Sequence, residues 1–149
     1  MTLDWKLVVD CAGPLELADF WAAALGYEVE DNDALIERLV AAGAVGPDVW
    51  THRHGRRMFR GLVAVRHPDD PVDPETGIGR GRRILFQAVP EPKTVKTRLH
   101  MDLHAGPERR EEEVARLTTL GARVLRVVEE PGGTHVTMTD PEGNEFCVQ

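Results

Sequence analysis

An α+β fold of two tandem βαβββ modules is predicted for this chain by three observations. The first is a repeat: WKLVVDCAGP, LELADFWAAALG and YEVE in one half answer RLHMDLHAGP, ERREEEVARLTTLG and ARVLRVVEE in the other. The second is punctuation. Pro14 and Pro107 stand where helices begin, because proline's fixed φ suits a first turn and its missing N–H has no partner there anyway. Gly26 and Gly121 stand where helices must stop. The third is size: 149 residues make one ordinary domain, and halves this short would be hardly stable apart. Duplication on this scale implies two half-domains whose curved sheets share one cleft, so functional side chains are sought among those facing it.

The elements follow in order. Residues Leu7 to Ala12 form an apolar strand, and Pro14 to Leu25 a helix whose Leu17, Trp21, Ala24 and Leu25 share a face. Tyr27 to Glu30 read as a strand, and Asp33 as the N-cap of an extra helix closed at Gly43. Val49 to His54 and Arg57 to His67 read as a hairpin around His54-Gly55, followed by the loop PDDPVDPETGIGRG and the strand RILFQAV. That loop is long enough for a lid or a partner contact, though a passive insertion is the plainer reading. Residues 90–97, PEPKTVKT, link the halves. The second half then reads strand LHMDLH, a helix over Glu108 to Leu120 buried through Val114, Leu117 and Leu120, and three strands ending in EFCVQ. Glu112 and Arg116 are spaced for a surface ion pair. The last two strands meet at a type I turn, Asp140-Pro141-Glu142-Gly143. The whole is one domain over residues 1–149: a first module over 1–90 with an insertion at about 31–80, and a second over 97–149.

Composition narrows the function. A hydrophobic fraction of 42% and a charged fraction of 29% are globular values, and no apolar run is long enough to cross a membrane. The start, MTLDWKLVVD, has an acid where a secretion signal carries bases, so the expected compartment is the cytoplasm. Cys11 and Cys147 match no metal knuckle or disulfide framework, and reduced thiols are expected. The net charge of −7 repels a phosphate backbone and argues against nucleic acid as a partner. Arginines concentrate in the middle third, from Arg53 to Arg83, and most read as solvated.

The repeated βαβββ unit, with LADFWAAALGY, RLHMDLH and DPEGNEF in this order and spacing, resembles the vicinal oxygen chelate superfamily, and within it glyoxalase-like domains related to glyoxalase, bleomycin-resistance and dioxygenase proteins. The resemblance covers nearly the whole chain. It implies a small molecule as substrate or ligand, a homodimer, and in metal-dependent members a divalent ion that holds two neighbouring substrate oxygens as a Lewis acid. Carried over position by position, the four metal-ligand sites fall on Lys6, Gln87, His100 and Cys147. Only His100 and Gln87 are ordinary donors there. Lys6 is a cation that opposes a metal unless it is deprotonated.

Strand alternation reads the same surface independently, because every second side chain shares a face. His100 then brings Asp102 and His104, Lys6 brings Asp10, and Cys147 brings Glu145 and Gln149, while Cys11 faces away. His100, Asp102, Asp10, Glu145 and Gln87 together offer a displaced site with nitrogen and oxygen ligands. His-X-Asp-X-His reads as metal ligation or a catalytic acid/base pair, or as a hydrogen-bonded network without catalysis. Lys6 reads as an ammonium standing in for the metal, or as a rim residue. Trp50 reads as a ligand-stacking candidate and Trp21 as core. His52 and His54 alternate like a metal pair but sit beside a turn among arginines, and Cys147 has no basic neighbour to make it a nucleophile. Three functions compete: a glyoxalase-like enzyme of lyase, isomerase or dioxygenase type, a non-catalytic binder that sequesters a small molecule, and a regulatory module using the arginines.

Overall fold

The structure, a computed structural model, describes residues Met1 to Gln149. The chain forms two compact units, Met1–Glu91 and Pro92–Gln149. In the first, β1 (Leu7–Cys11), α1 (Pro14–Leu25), β2 (Glu28–Val29), β5 (Leu62–Arg66) and β6 (Arg83–Ala88) make a βαβββ unit, into which α2 (Asp33–Ala41), β3 (Trp50–Arg53) and β4 (Arg56–Phe59) are inserted. The second unit is β7 (Asp102–Leu103), α3 (Arg110–Thr119), β8 (Arg123–Glu130), β9 (Gly133–Thr139) and β10 (Glu145–Val148). The strand orders, β1-β6-β5-β2 and β7-β10-β9-β8, follow one rule: first, last, third, second. In both, the first strand runs parallel to the last and the other pairs are antiparallel. The repeat in sequence is therefore a repeat in topology, and the fold is α+β with two tandem βαβββ modules.

Each sheet is covered on one face by its own helix. Leu17, Ala18, Phe20, Trp21 and Ala24 of α1 are buried, and α1 packs on β5 and β6, whose Val63, Val65, Ile84 and Phe86 are buried too. In the second unit α3 packs on β8 and β10, and Leu117, Val136, Met138, Phe146 and Val148 form the core. Burying these side chains supplies the main favourable term, about 1.5–3 kcal/mol for each large one. Gly26 closes α1 with φ 68°, a left-handed conformation that costs glycine nothing. No helix is long and apolar enough to cross a membrane.

Several local expectations are corrected. Asn32, not Asp33, is the N-cap of α2, because the Asp33 carboxylate is taken by Arg57 through its backbone N–H, Nε and Nη2. The expected hairpin is β3 with β4, and β5 is a separate strand that leaves for the main sheet. α3 starts at Arg110, after a turn that holds Pro107, and the α3 ion pair joins Glu113 to Arg116 rather than Glu112. Leu120 is exposed. β7 has two residues, so His100 precedes the strand.

The arginines of the insertion are mostly paired rather than solvated. Arg53 binds Asp19 and Glu16 of α1, Arg66 binds Glu28, and Arg80 and Arg82 bind Asp73 and Asp70. The long loop of residues 68–82 is fastened, not free to close as a lid. Asn32 Nδ2 donates to Thr76 O at 2.8 Å, and Gly79 N donates to Glu30 Oε1 at 2.8 Å. Gly77 has φ +73°, and a Cβ there would lie 1.6 Å from Asp31 O, so only glycine allows the approach.

Candidate functional site

The side chains with chemistry lie on the faces the helices leave uncovered. In the second unit, β10 alternates between two environments: Phe146 and Val148 enter the core, and Cys147 lies on the other face. Backbone register puts Cys147 between Asp102 on β7 and Thr137 on β9. Directly paired residues share a face, and here their side chains meet: Thr137 Oγ1 is 3.8 Å from Cys147 Sγ. His100 Nε2 is 3.4 Å from Asp102 Oδ1, and Gln149 Nε2 donates to Asp102 Oδ2 at 2.8 Å. One donor atom each from His100, Asp102 and Cys147 lies within 4.8 Å of the others.

This cluster offers a nitrogen, an oxygen and a sulfur. About 2.0–2.3 Å separates such donors from a tetrahedral zinc-like ion, which sets them about 3.3–3.8 Å apart. The cluster therefore has to contract by roughly an ångström, and its two exposed members have room to move. His100 and Asp102 keep 41% and 38% of their side-chain surface. The residues fit a borderline-soft divalent ion better than a hard one, which prefers oxygen alone. Cys147 opposes the fit in one respect. Burial pushes its thiol pKa up, and the charge of Asp102 and a hydrogen bond to it add to the rise, whereas Thr137 pulls it down.

Glu145, two residues before Cys147, is occupied. Thr97 donates to Oε2 from its backbone N–H at 3.0 Å and from Oγ1 at 2.7 Å, and Lys93 Nζ reaches Oε1 at 3.1 Å. Desolvation pushes this carboxyl up, but those donors together hold its pKa at about 2. Its contribution to stability is complete above the ordinary carboxyl range and is lost as pH falls through the folded value. Urea midpoints of wild type and Glu145→Gln are thus expected to differ most at neutral pH and to converge between about pH 4.5 and 2. A gap that persists at pH 2 contradicts the clamp. His104 is exposed just beyond β7.

Lys6, Asp10, Gln87 and Trp50 belong to the first unit. Lys6 precedes β1 and is exposed; Asp10 and Gln87 are register partners on β1 and β6 and are exposed as well. Cys11 is buried, with its Sγ 3.5 Å from Gln87 O. Trp50 meets His52 edge-on at 5.2 Å, and its buried Nε1 has no hydrogen-bond partner. His54 Nε2 is 2.8 Å from Asp19 Oδ1, which ties the β3–β4 turn to α1. Thr137 escaped the sequence reading, since THVTMT has no chemical signature and its place beside Cys147 depends on register.

Residues 6–149 match the family described as a glyoxalase-like domain. No curated protein matches the chain. Solved structures share the fold at low identity. A hypothetical protein from S. aureus is 12% identical with TM-score 0.61, covering 99% of this chain and 93% of that one. A glyoxalase/bleomycin resistance/dioxygenase family enzyme from Burkholderia phytofirmans is 12% identical with TM-score 0.58, covering 96% and 94%. A mutant fosfomycin resistance protein FosX from Listeria monocytogenes, complexed with Mn(II) and 1S,2S-dihydroxypropylphosphonic acid, is 10% identical with TM-score 0.58, covering 100% and 90%.

Proposed function

The chain belongs to the glyoxalase-like domain family, and from that premise we propose that its second unit carries the reaction centre of a small-molecule enzyme, built on His100, Asp102 and Cys147. The observation that carries the reading is the convergence of three different donor types, from β7, β10 and the segment just before β7, within 4.8 Å. The similarity in fold to FosX, whose structure holds Mn(II), supports a metal in this fold without identifying the ion or its place. A divalent ion bound there supplies Lewis-acid polarisation of substrate oxygens.

The protein's own residues have distinct parts. His100, Asp102 and Cys147 would hold the ion. Gln149 fixes the Asp102 carboxylate through Oδ2 and leaves Oδ1 on the His100 side. Such outer contacts orient donors and are worth about 10–100-fold in metal affinity. When no ion is bound, His100 with Asp102 has the makings of an acid/base pair. A homodimer, which the family resemblance implies, and a cytoplasmic location belong to the same reading.

Metal analysis of untagged protein tests this reading. Wild type is expected to hold about one divalent ion per chain, and His100→Ala to hold none. A second reading, a metal-free protein that sequesters a small molecule, is favoured by the burial that pushes the Cys147 thiol pKa up and so opposes thiolate ligation. Equal, negligible metal in both proteins, together with thermal stabilisation by a small molecule that is not turned over, would select that reading.

A further inference from the structure

We propose that Arg126, with Arg123 beside it on β8, is the anchor for an anionic group of the ligand, so that the substrate class is a small oxyanion-bearing molecule: a carboxylate, phosphate or phosphonate. The inference rests on the reading of the second unit as the reaction centre. It starts from an irregularity in one strand. Arg123 is paired with Thr139 and Arg126 with Thr137, so three residues of β8 span two of β9, with a register shift between Val124 and Arg126. Residues three apart on a regular strand face opposite sides. The bulge adds one residue and brings both guanidinium groups to the side that Thr137 and Thr139 occupy.

That side is the donor face. Thr137 is also the register partner of Cys147, and Cys147 that of Asp102, so a single row crosses the sheet as Arg126, Thr137, Cys147, Asp102. Two strand spacings, about 9.5 Å, separate the backbones of Arg126 and Cys147. An arginine side chain reaches part of that distance, which leaves room for a ligand with an anionic end at β8 and a reacting end at the donor cluster.

Both arginines are uncommitted. Arg53, Arg57, Arg66, Arg80, Arg82 and Arg83 each hold a carboxylate, whereas the side chains of Arg123 and Arg126 are in no ion pair and are exposed. Glu145, which shares the Thr139 row with Arg123, is already bound by Lys93 and Thr97. In a chain of net charge −7, an unpaired guanidinium pair on the donor face is a local reversal of sign. A guanidinium fork matches an oxyanion in geometry as well as charge.

Titration with inorganic phosphate and with acetate at low salt, followed by arginine Nε–Hε resonances, tests the proposal. Saturable shifts at Arg126 are expected for at least one of the two, and the tighter one identifies the headgroup. Arg126→Gln is expected to weaken binding roughly tenfold or more, with partial recovery in Arg126→Lys. The Arg126 shifts are expected to persist in chelator-treated wild-type protein, which separates this proposal from the fate of the metal reading. Equal affinity in wild type and Arg126→Gln, or no saturable shift at Arg126 with either anion, would overturn it.

Discussion

Glu30→Ala is expected to destabilise the first unit by about 3–5 kcal/mol, the cost of orphaning a buried charge. Glu30 keeps 2% of its side-chain surface and Arg83 11%. Glu30 Oε1 accepts from Arg83 Nε and Oε2 from Arg83 Nη2, both at 2.8 Å, and Oε1 also takes the Gly79 N–H. Removing the carboxylate leaves a guanidinium and a backbone donor without partners where water has little access. It also removes the Gly79 tether of the loop of residues 68–82. Urea unfolding at neutral pH measures the loss. The double variant Glu30→Met with Arg83→Met is expected to recover much of it, because the pair as a whole offers little net stability over well-packed apolar side chains. A single variant within about 1 kcal/mol of wild type would show that the pair is wetter than its burial implies.

The second large effect concerns pH and metal. A thiolate, not a thiol, ligates an ion, so binding at Cys147 must expel a proton from a group whose pKa burial and Asp102 have raised. Below that raised pKa each pH unit adds roughly a factor of ten to apparent affinity through this one proton. Affinity for Zn²⁺ or Co²⁺ is therefore expected to rise about tenfold between pH 7 and 8, with a sulfur-to-cobalt charge-transfer band in the Co²⁺ spectrum. Cys147→Ala is expected to lose at least a hundredfold in affinity, together with the thiol's share of the slope, since even outer contacts are worth 10–100-fold. Binding that is independent of pH and shows no such band would remove Cys147 from the ligand set.

Much of this architecture is legible in the chain because its signals are local. Pro14 and Gly26 bracket α1 through backbone conformation alone, and alternation in EFCVQ separates Phe146 and Val148 from Cys147. The repeat of strand, helix and strands needs no partner to be seen, and its family resemblance agrees with the match over residues 6–149. The insertion is less legible. Its arginines look like a solvated run because their carboxylates are distant in sequence: Asp19 lies 34 residues from Arg53 and Glu30 lies 53 from Arg83.

The same division holds at the site. His100 and Asp102 stand out as candidates within the short stretch His-X-Asp-X-His, whereas Cys147 is reached only through strand alternation and the family resemblance. Which side chains then become neighbours depends on how separate strands pair, some consecutive and some, like β7 and β10, far apart in the chain. Register sets Thr137 beside Cys147, a one-residue bulge turns Arg126 toward the same face, and Thr97 with Lys93 withdraws Glu145 from it. Apolar alternation and turn geometry constrain register, but the bulge in β8 and the pairing of β7 with the distant β10 are settled only when the strands bury their apolar faces together.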